Sequence, residues 1–456
     1  MFLSAFSRFI LKGAKWAVNH FYEVGCIGQP VPDGPILVIA NHPNSVMDAL
    51  IVMRVARRPV RPLAKAPLFE DALMGHLLRG LGALPVFRPQ DYPDETWKNE
   101  RTFKAAEEAL LDGEAVLIFP EGLTHSEASL ARMKTGAARI AFAAEEDSSW
   151  QLGLRIVPVG LTYQHKHAIR GRVAVALGQS FPVSDWREMW GKDEWTAVES
   201  LTAAMREALE EVTLNLPSQE DRPLLETAEA LYAAEKKLTK PRARGKLAPR
   251  LPRLQQFAQA LAWLYVADPE LYERIGDEVR AYRERLKILG VREGEIPKRF
   301  RPSRVLWYAT VQGLALLIGL PLAVAGTIVW YIPFKSPRVT LNLYKPPYEA
   351  LATFKLATAL LAFPLAYSLY LAVAWWLGGT RALVVVAIVL PVVGIVALRW
   401  RDRWLMARED VYVFWRSMKL RGFREELVKR RQELVGEFEA VYSAWQRERR
   451  SRRDEP

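Results

Sequence analysis

The chain has 456 residues, half of them hydrophobic and a quarter charged, which excludes disorder as the main state and leaves room for two or three domains. One cysteine, Cys26, excludes an internal disulfide and a cysteine-ligated metal cluster. A formal net charge of +12 suits an anionic partner, either a lipid surface or nucleic acid.

In chain order, residues 1–19 carry Phe2, Leu3, Phe6, Phe9 and Ile10, then Lys12, Lys15 and Trp16. This pattern predicts an amphipathic helix that either lies in a membrane interface or packs on its own domain. No small-residue cleavage site follows, so no cleavable leader is expected. PVPDGP at 30–35 is a turn cluster. Ile36 to Ala40 reads as a buried strand; it stops at Asn41-His42-Pro43, and a helical pattern begins at Val46. His42 and Asp48 stand about one and a half helical turns apart. A carboxylate at that spacing can fix the imidazole in one tautomer and leave it to act as a general base toward a hydroxyl. A histidine satisfied for structure alone is the plainer account. Ser45 reads as a helix N-terminal residue.

A basic, proline-broken stretch, RRPVRPLAKAP, follows at 57–67. A helix is expected over 68–80, then a short strand and turn in GALPVFRP at 82–89. Arg88, at its end, is either solvated or a bidentate partner for phosphate. A helix is expected over 95–111. Ala115 to Phe119 is a second buried strand, ending in Pro120-Glu121-Gly122. Glu121 reads as an exposed turn residue or as a carboxylate fixed to accept from substrate hydroxyls. Arg132 and Lys134 add positive charge at the start of a helix over 129–144. Ile156 to Leu161, with Pro158 inside it, is most simply a structural or edge strand. With Val173 to Leu177 it completes an α/β layer domain over residues 20–215.

Residues 216–300 are charged and helical, with an apolar set running from Leu254 to Leu286 at helical spacing and broken near Pro269. KPRARGKLAPRLPR at 240–253 reads as a solvated linker; no zinc-finger or RNP pattern is present, so no nucleic-acid partner is expected. Residues 305–334 are uncharged and flanked by Trp307-Tyr308 and Trp330-Tyr331. These pairs are about 34 Å apart along a helix, the spacing of aromatic belts on a bilayer. The uncharged runs 356–380 and 382–398 flank Gly378-Gly379-Thr380-Arg381, so 356–398 reads as a transmembrane hairpin. Three spans would put the basic segment 401–456 across the bilayer from the first domain, although both flanks are basic; either 305–334 re-enters or 382–398 does not fully span. In that segment Leu420, Phe423, Leu427, Leu434, Phe438, Val441 and Trp445 form a seam. It serves either self-association or packing on the 254–286 helices.

In this order and spacing, Asn41/His42/Asp48, Gly82 to Arg88, Phe119 to Ser126 and Ile156 to Val159 resemble the four sequence blocks of the glycerolipid acyltransferase family. That family includes glycerol-3-phosphate and 1-acylglycerol-3-phosphate acyltransferases. The resemblance covers about residues 20–215, under half the chain. Two features depart from it. His42 and Asp48 are separated by five residues rather than four, as in a branch resembling fungal glycerol-3-phosphate/dihydroxyacetone-phosphate acyltransferases with C-terminal membrane segments. Leu123-Thr124-His125 stands where the family has Thr-Arg-Ser, so phosphate recognition would shift to Arg88, Arg132 or Lys134; MKTGAARIA at 133–141 also resembles the family and favours Lys134.

The resemblance implies an α/β acyltransferase domain, a mixed sheet with flanking helices. A helical region, transmembrane helices and a basic C-terminal helix would follow it. It implies a membrane-bound enzyme of phospholipid synthesis that moves a fatty acyl group from acyl-CoA or acyl carrier protein to glycerol-3-phosphate or dihydroxyacetone phosphate. A lysophospholipid acceptor is the alternative, and a degenerate membrane scaffold a further one. His42 would be the base and Asp48 its orienting carboxylate, with no acyl-enzyme. The helix N-terminus after Asn41 would help hold the oxyanion. Asn41, Arg88, Glu121, Gly122 and Lys134 would bind substrate, and no metal or cofactor beyond the acyl donor is expected. The expected partners are membrane lipids, with the C-terminal helix as the one route open to self-association. The protein would be integral to the membrane with its catalytic domain in the cytoplasm.

Overall fold

The computed structural model describes residues 5–70, 72–87, 98–238, 246–289, 302–419 and 423–454. The chain divides into two compact units. The first comprises Met1–Gln219, Arg242–Ala262 and Pro347–Thr353; the second comprises Glu220–Pro241, Trp263–Pro346 and Phe354–Pro456.

The first unit runs α1 (Ala5–Phe21), β1 (Tyr22–Gly28), β2 (Ile36–Ala40), α2 (Val46–Val55), β3 (Arg61–Lys65), α3 (Pro67–Glu70), α4 (Ala72–Gly80), β4 (Leu84–Val86), α5 (Lys98–Leu111), β5 (Ala115–Ile118), α6 (Gly136–Asp147), β6 (Arg155–Gln164), β7 (Gly171–Leu177), β8 (Phe181–Pro182), α7 (Arg187–Trp190) and α8 (Glu194–Val212). One mixed sheet has the order β1-β7-β6-β2-β5-β3-β4, with β8 pairing β6. β2 lies parallel to β5 and to β6, while β6 and β7 are antiparallel. β2 is buried at all five positions, and β5 is buried at Ala115, Val116 and Leu117. Strands covered on both faces read as continuous apolar runs, which is why these two stand out in the sequence. The carboxyl end of β2, between β5 and β6, is the kind of crevice in which α/β sheets place ligands.

Several elements differ from expectation. β1 and β3 carry glycine or proline, so their pattern does not announce a strand; β1 is an edge strand parallel to β7, and Pro62 of β3 lies opposite Leu117. β6 is an interior strand, not an edge. Pro158 is tolerated because the β7 ladder begins at Val159 and the β8 pairing stops at Ile156, so its missing N–H falls in the gap between them. α6 starts at Gly136 rather than 129, because the preceding backbone is taken up by other partners: Ala131 N donates to Glu121 Oε2 at 2.8 Å and Lys134 N to Pro120 O at 2.8 Å. Within the first helix Ala17 and Val18 are buried while Trp16 stays exposed, and the helix packs on α2 and α4. The stretch at 246–253 is not a solvated linker: Leu247 and Leu251 are buried. A Cβ on Gly25 of β1 would come within 2.5 Å of the Ala248 Cβ, so glycine there admits this turn.

The second unit contains α9 (Asp221–Glu235), the end of α10 (Leu251–Ala267), α11 (Pro269–Leu289), α12 (Pro302–Val329), α13 (Tyr331–Tyr344), α14 (Leu351–Lys419, its first residues belonging to the first unit) and α15 (Phe423–Asp454). Asp268 separates α10 from α11; its Oδ1 accepts from Leu271 N at 3.0 Å and Pro269 opens the helix, a standard start signal. The α15 seam is used within the unit. Leu427, Leu434, Val435 and Phe438 are buried, and Arg431 pairs with Glu235 of α9 and Arg430 with Glu278 of α11. Two of the described helices, over Leu306–Val329 and Tyr348–Arg408, are long and apolar enough to cross a membrane. The second breaks at Gly378 and at Gly379, whose φ is 62°. The chain folds back there, since Tyr367 Oη donates to Ala387 O at 2.9 Å.

Candidate active site

At the end of β2, Asn41 continues the sheet with its side chain. Its Nδ2 donates to Leu161 O at 3.1 Å and its Oδ1 accepts from Leu161 N at 2.7 Å. Both ends of the amide therefore tie β2 to β6, whereas the motif suggested a contact with substrate.

His42 follows and is held on every side but one. Its N–H donates to Glu121 Oε1 at 3.1 Å, and its carbonyl accepts from His125 N at 3.2 Å. The ring stacks on Phe119 with centroids 3.9 Å apart. Nδ1 bonds Asp48 Oδ2 at 2.9 Å. The His42 side chain is 18% exposed and that of Asp48 is 0% exposed, so the carboxylate is sealed while the imidazole edge bearing Nε2 is reachable. Among the described residues no bond to Nε2 is present.

Five intervening residues still close this pair because of a tight turn. Met47 N donates to Asn44 O at 3.2 Å, and Ser45 between them has φ 49° and ψ −135°. That is the first central position of a type II′ turn, where glycine is usual. Asp48 Oδ2 also accepts from Asn44 N at 2.6 Å, and its Oδ1 accepts from Tyr163 Oη at 2.5 Å. Three donors thus satisfy one buried carboxylate, which fixes its orientation. Burial and the nearby Asp48 hold the Tyr163 phenol well above its ordinary pKa, so it stays a donor. Asn44 Nδ2 donates to Tyr22 Oη at 2.8 Å, and Tyr22 Oη donates in turn to Lys166 O.

Glu121 is not an exposed turn residue. It is 1% exposed and bonds three groups: His42 N, Ala131 N and His125 Nε2. It ties the loop after β2 to the loop after β5. The bond to Glu121 raises the His125 pKa above the ordinary histidine value, against the opposing effect of burial. A group with a raised folded pKa adds stability that is fully present below its unfolded value, about 6.5, and is lost as pH rises through the folded one. The difference in urea midpoint between wild type and His125→Asn should therefore be largest near pH 6 and shrink toward pH 9. A gap that stays constant over this range would dissociate the pair from the fold.

Gly122 has φ +69°, and a Cβ there would lie 2.7 Å from Lys134 Cε. The positive φ is what calls for glycine in the Pro-Glu-Gly turn, and the exposed lysine stem lies over it. Lys134 and Arg132 are exposed. Arg88 lies outside the described residues. The structure adds a cation that the motifs did not name. Lys166, just beyond β6, donates to Pro43 O at 3.0 Å and to Ser126 Oγ. It stands beside the residues that follow His42 and His125. No local pattern marks it, because its partners are 123 and 40 positions away. Tyr163 carried a faint signal: it is two residues past Leu161 and so shares a face of β6 with it.

Residues 23–162 match the family model for acyltransferases. An uncharacterised acyltransferase of Schizosaccharomyces pombe is 24% identical over 438 residues, covering 74% of this chain and 63% of that protein. A glycerol-3-phosphate O-acyltransferase of Saccharomyces cerevisiae is 24% identical over 60% of this chain and 38% of its own length. A 1-acyl-sn-glycerol-3-phosphate acyltransferase of Chlamydomonas reinhardtii is 27% identical over 31% and 39%. The chain spans less than two thirds of the length of each of these relatives. Residues 23–162 therefore match an acyltransferase domain, and the chain is similar over that region to glycerol-3-phosphate and 1-acylglycerol-3-phosphate acyltransferases.

Proposed function

We propose that the protein is a membrane-embedded O-acyltransferase that moves a fatty acyl group from a thioester, acyl-CoA or acyl carrier protein, to a hydroxyl of glycerol-3-phosphate or dihydroxyacetone phosphate. The observation that carries this reading is the His42–Asp48 pair, 2.9 Å apart, with a sealed carboxylate and a reachable imidazole edge. His42 Nε2 takes the proton of the acceptor hydroxyl as its oxygen bonds the acyl carbon. Asp48 orients the ring and stabilises the imidazolium. The carbon–sulfur bond breaks, and the thiol leaves with the proton that the imidazolium returns. No side-chain nucleophile is required.

Full-length protein in anionic-lipid micelles should form labelled ester from acyl-CoA or acyl carrier protein with one of three acceptors: glycerol-3-phosphate, dihydroxyacetone phosphate or 1-acylglycerol-3-phosphate. The last is the second acceptor class, named by the algal relative. No ester with any acceptor, from an enzyme with an intact thermal transition, would overturn the reading.

The apolar region supports an even number of crossings. α9 and α11 precede it, α15 follows it, and they pack together in one unit through Arg431–Glu235 and Arg430–Glu278. The α14 arms cross and return. Trp330, at the α12–α13 joint, donates to Leu390 O at 3.0 Å and stacks on Phe363, in the middle of the two arms rather than at their Gly378–Gly379 tip. Tyr344 at the end of α13 meets Phe354 at the base of the first arm. α12 and α13 thus enter and return, and the basic flanks stay in the cytoplasm with the catalytic domain. Single cysteines introduced at 250 and 450 of a Cys26-free variant should both label from the cytoplasmic face of intact vesicles. Labelling from opposite faces would restore an odd count.

A further inference from the structure

The acceptors considered above share one feature, a phosphomonoester on a glycerol-sized backbone, and the structure places one ammonium, that of Lys166, on the residues directly after His42 and His125. We infer that Lys166, acting with Ser126, forms the acceptor phosphate subsite, and that the carboxylate of Glu349 occupies it in the absence of acceptor. The inference rests on the acyl-transfer reading for the identity of the ligand, though not for the existence of an anion site.

The geometry is specific. Lys166 Nζ is bonded to Pro43 O, one residue past His42, at 3.0 Å. It is also bonded to Ser126 Oγ, one residue past His125. The ammonium is thereby placed between the two loops that also carry the catalytic histidine and its Glu121 anchor. The lysine backbone is fixed as well, since Lys166 O accepts from Tyr22 Oη, which is joined through Asn44 to the turn holding Asp48. A cation positioned by the same network that positions the base can set the distance between a bound phosphate and the hydroxyl that His42 deprotonates.

An anion already stands there. Ser126 Oγ donates to Glu349 Oε1 at 3.2 Å, so a continuous path runs from ammonium to hydroxyl to carboxylate. The Glu349 oxygen stands in for an acceptor phosphate oxygen. The neighbouring Tyr348 ring lies 4.7 Å from Lys166 Nζ and meets the His167 ring edge-on at 4.3 Å. Residues 347–353 belong to the catalytic unit and lead directly into the apolar hairpin. A phosphate dianion is a stronger acceptor than a carboxylate and carries more charge. It would displace Glu349 from Ser126, freeing the strap that the glutamate holds down.

The test uses full-length enzyme with two variants and three phosphorylated acceptors, set against a matched unphosphorylated one (glycerol for the glycerol-3-phosphate and dihydroxyacetone phosphate arms, monoacylglycerol for the lysophosphatidate arm). Lys166→Met should reduce the preference for phosphorylated over unphosphorylated acceptor by about 10–100-fold, the loss of a charge-assisted bond, and Lys166→Arg should keep most of it. Glu349→Gln should lower KM for the phosphorylated acceptor by about 3–10-fold, the removal of an internal competitor. Equal losses on both acceptor types in Lys166→Met, or an unchanged KM in Glu349→Gln, would overturn the subsite. Thermal stabilisation by glycerol-3-phosphate and by 1-acylglycerol-3-phosphate gives a readout without turnover. Stabilisation of wild type that is lost in Lys166→Met, with no acyl transfer, would sink the proposed reaction and leave the subsite standing. Transfer with stabilisation unaffected in Lys166→Met would do the reverse.

Discussion

His42→Ala is expected to lower kcat for acyl transfer by about 10²–10⁴-fold, the range for losing a general base, with a thermal transition close to that of wild type. The two halves of this expectation have different sources. The imidazole supplies one of three donors to Asp48, so its loss leaves the carboxylate bonded to Asn44 N and Tyr163 Oη. The ring is also the most exposed member of the set. Asp48→Ala should behave differently: it removes the carboxylate shared by Asn44 N, the Tyr163 phenol and the imidazole Nδ1, at roughly 1–3 kcal/mol for each group it strands. That variant should lose stability as well as activity. Labelled acyl-CoA turnover and differential scanning on the same preparations separate the cases. His42→Ala activity within a few-fold of wild type would remove the histidine from the chemistry.

What the sequence made legible follows the range of the interactions. β2, β5 and the turn after each are local patterns, an apolar run ended by polar residues, and both stand where expected. His42 and Asp48 are six positions apart, and the extra residue between them is absorbed locally at Ser45. By contrast, the partners of Glu121 and Tyr163 lie up to 79 and 115 positions away, and no periodicity encodes such a meeting. The same limit hid β1 and β3: Gly25 of β1 answers to Ala248, more than two hundred positions away, and Pro62 of β3 stands one residue before the β4 ladder begins at Leu63. It also left Pro158 open between a structural and an edge strand, and the sheet order decides for the interior. In the second unit the α15 seam was visible as an apolar stripe, but the stripe does not name its partner; the charges at Arg430 and Arg431, which interrupt the seam, do so by pairing with α11 and α9.

Glu121→Ala is expected to cost stability and activity together, because this glutamate joins the loop after β2 to the loop after β5. The side chain is buried and accepts from His42 N, Ala131 N and His125 Nε2. Alanine leaves two backbone donors and an imidazole without an acceptor. At about 1–3 kcal/mol for each stranded group, the cost is at least about 3 kcal/mol. For a domain of this size that lowers Tm on the order of 10 °C. The His42 peptide is released at the same time, and catalytic positioning is sensitive to displacements of about 1 Å, so kcat should fall by about 10²-fold or more even below the new Tm. Glu121→Gln keeps the shape and one acceptor oxygen, so it should fall between alanine and wild type in both measurements. A glutamate whose work was to accept from substrate hydroxyls would give the opposite pattern, a raised acceptor KM with Tm unchanged. Michaelis curves in acceptor concentration, taken alongside the melting curves, distinguish a carboxylate that touches the acceptor from one that holds the base in place.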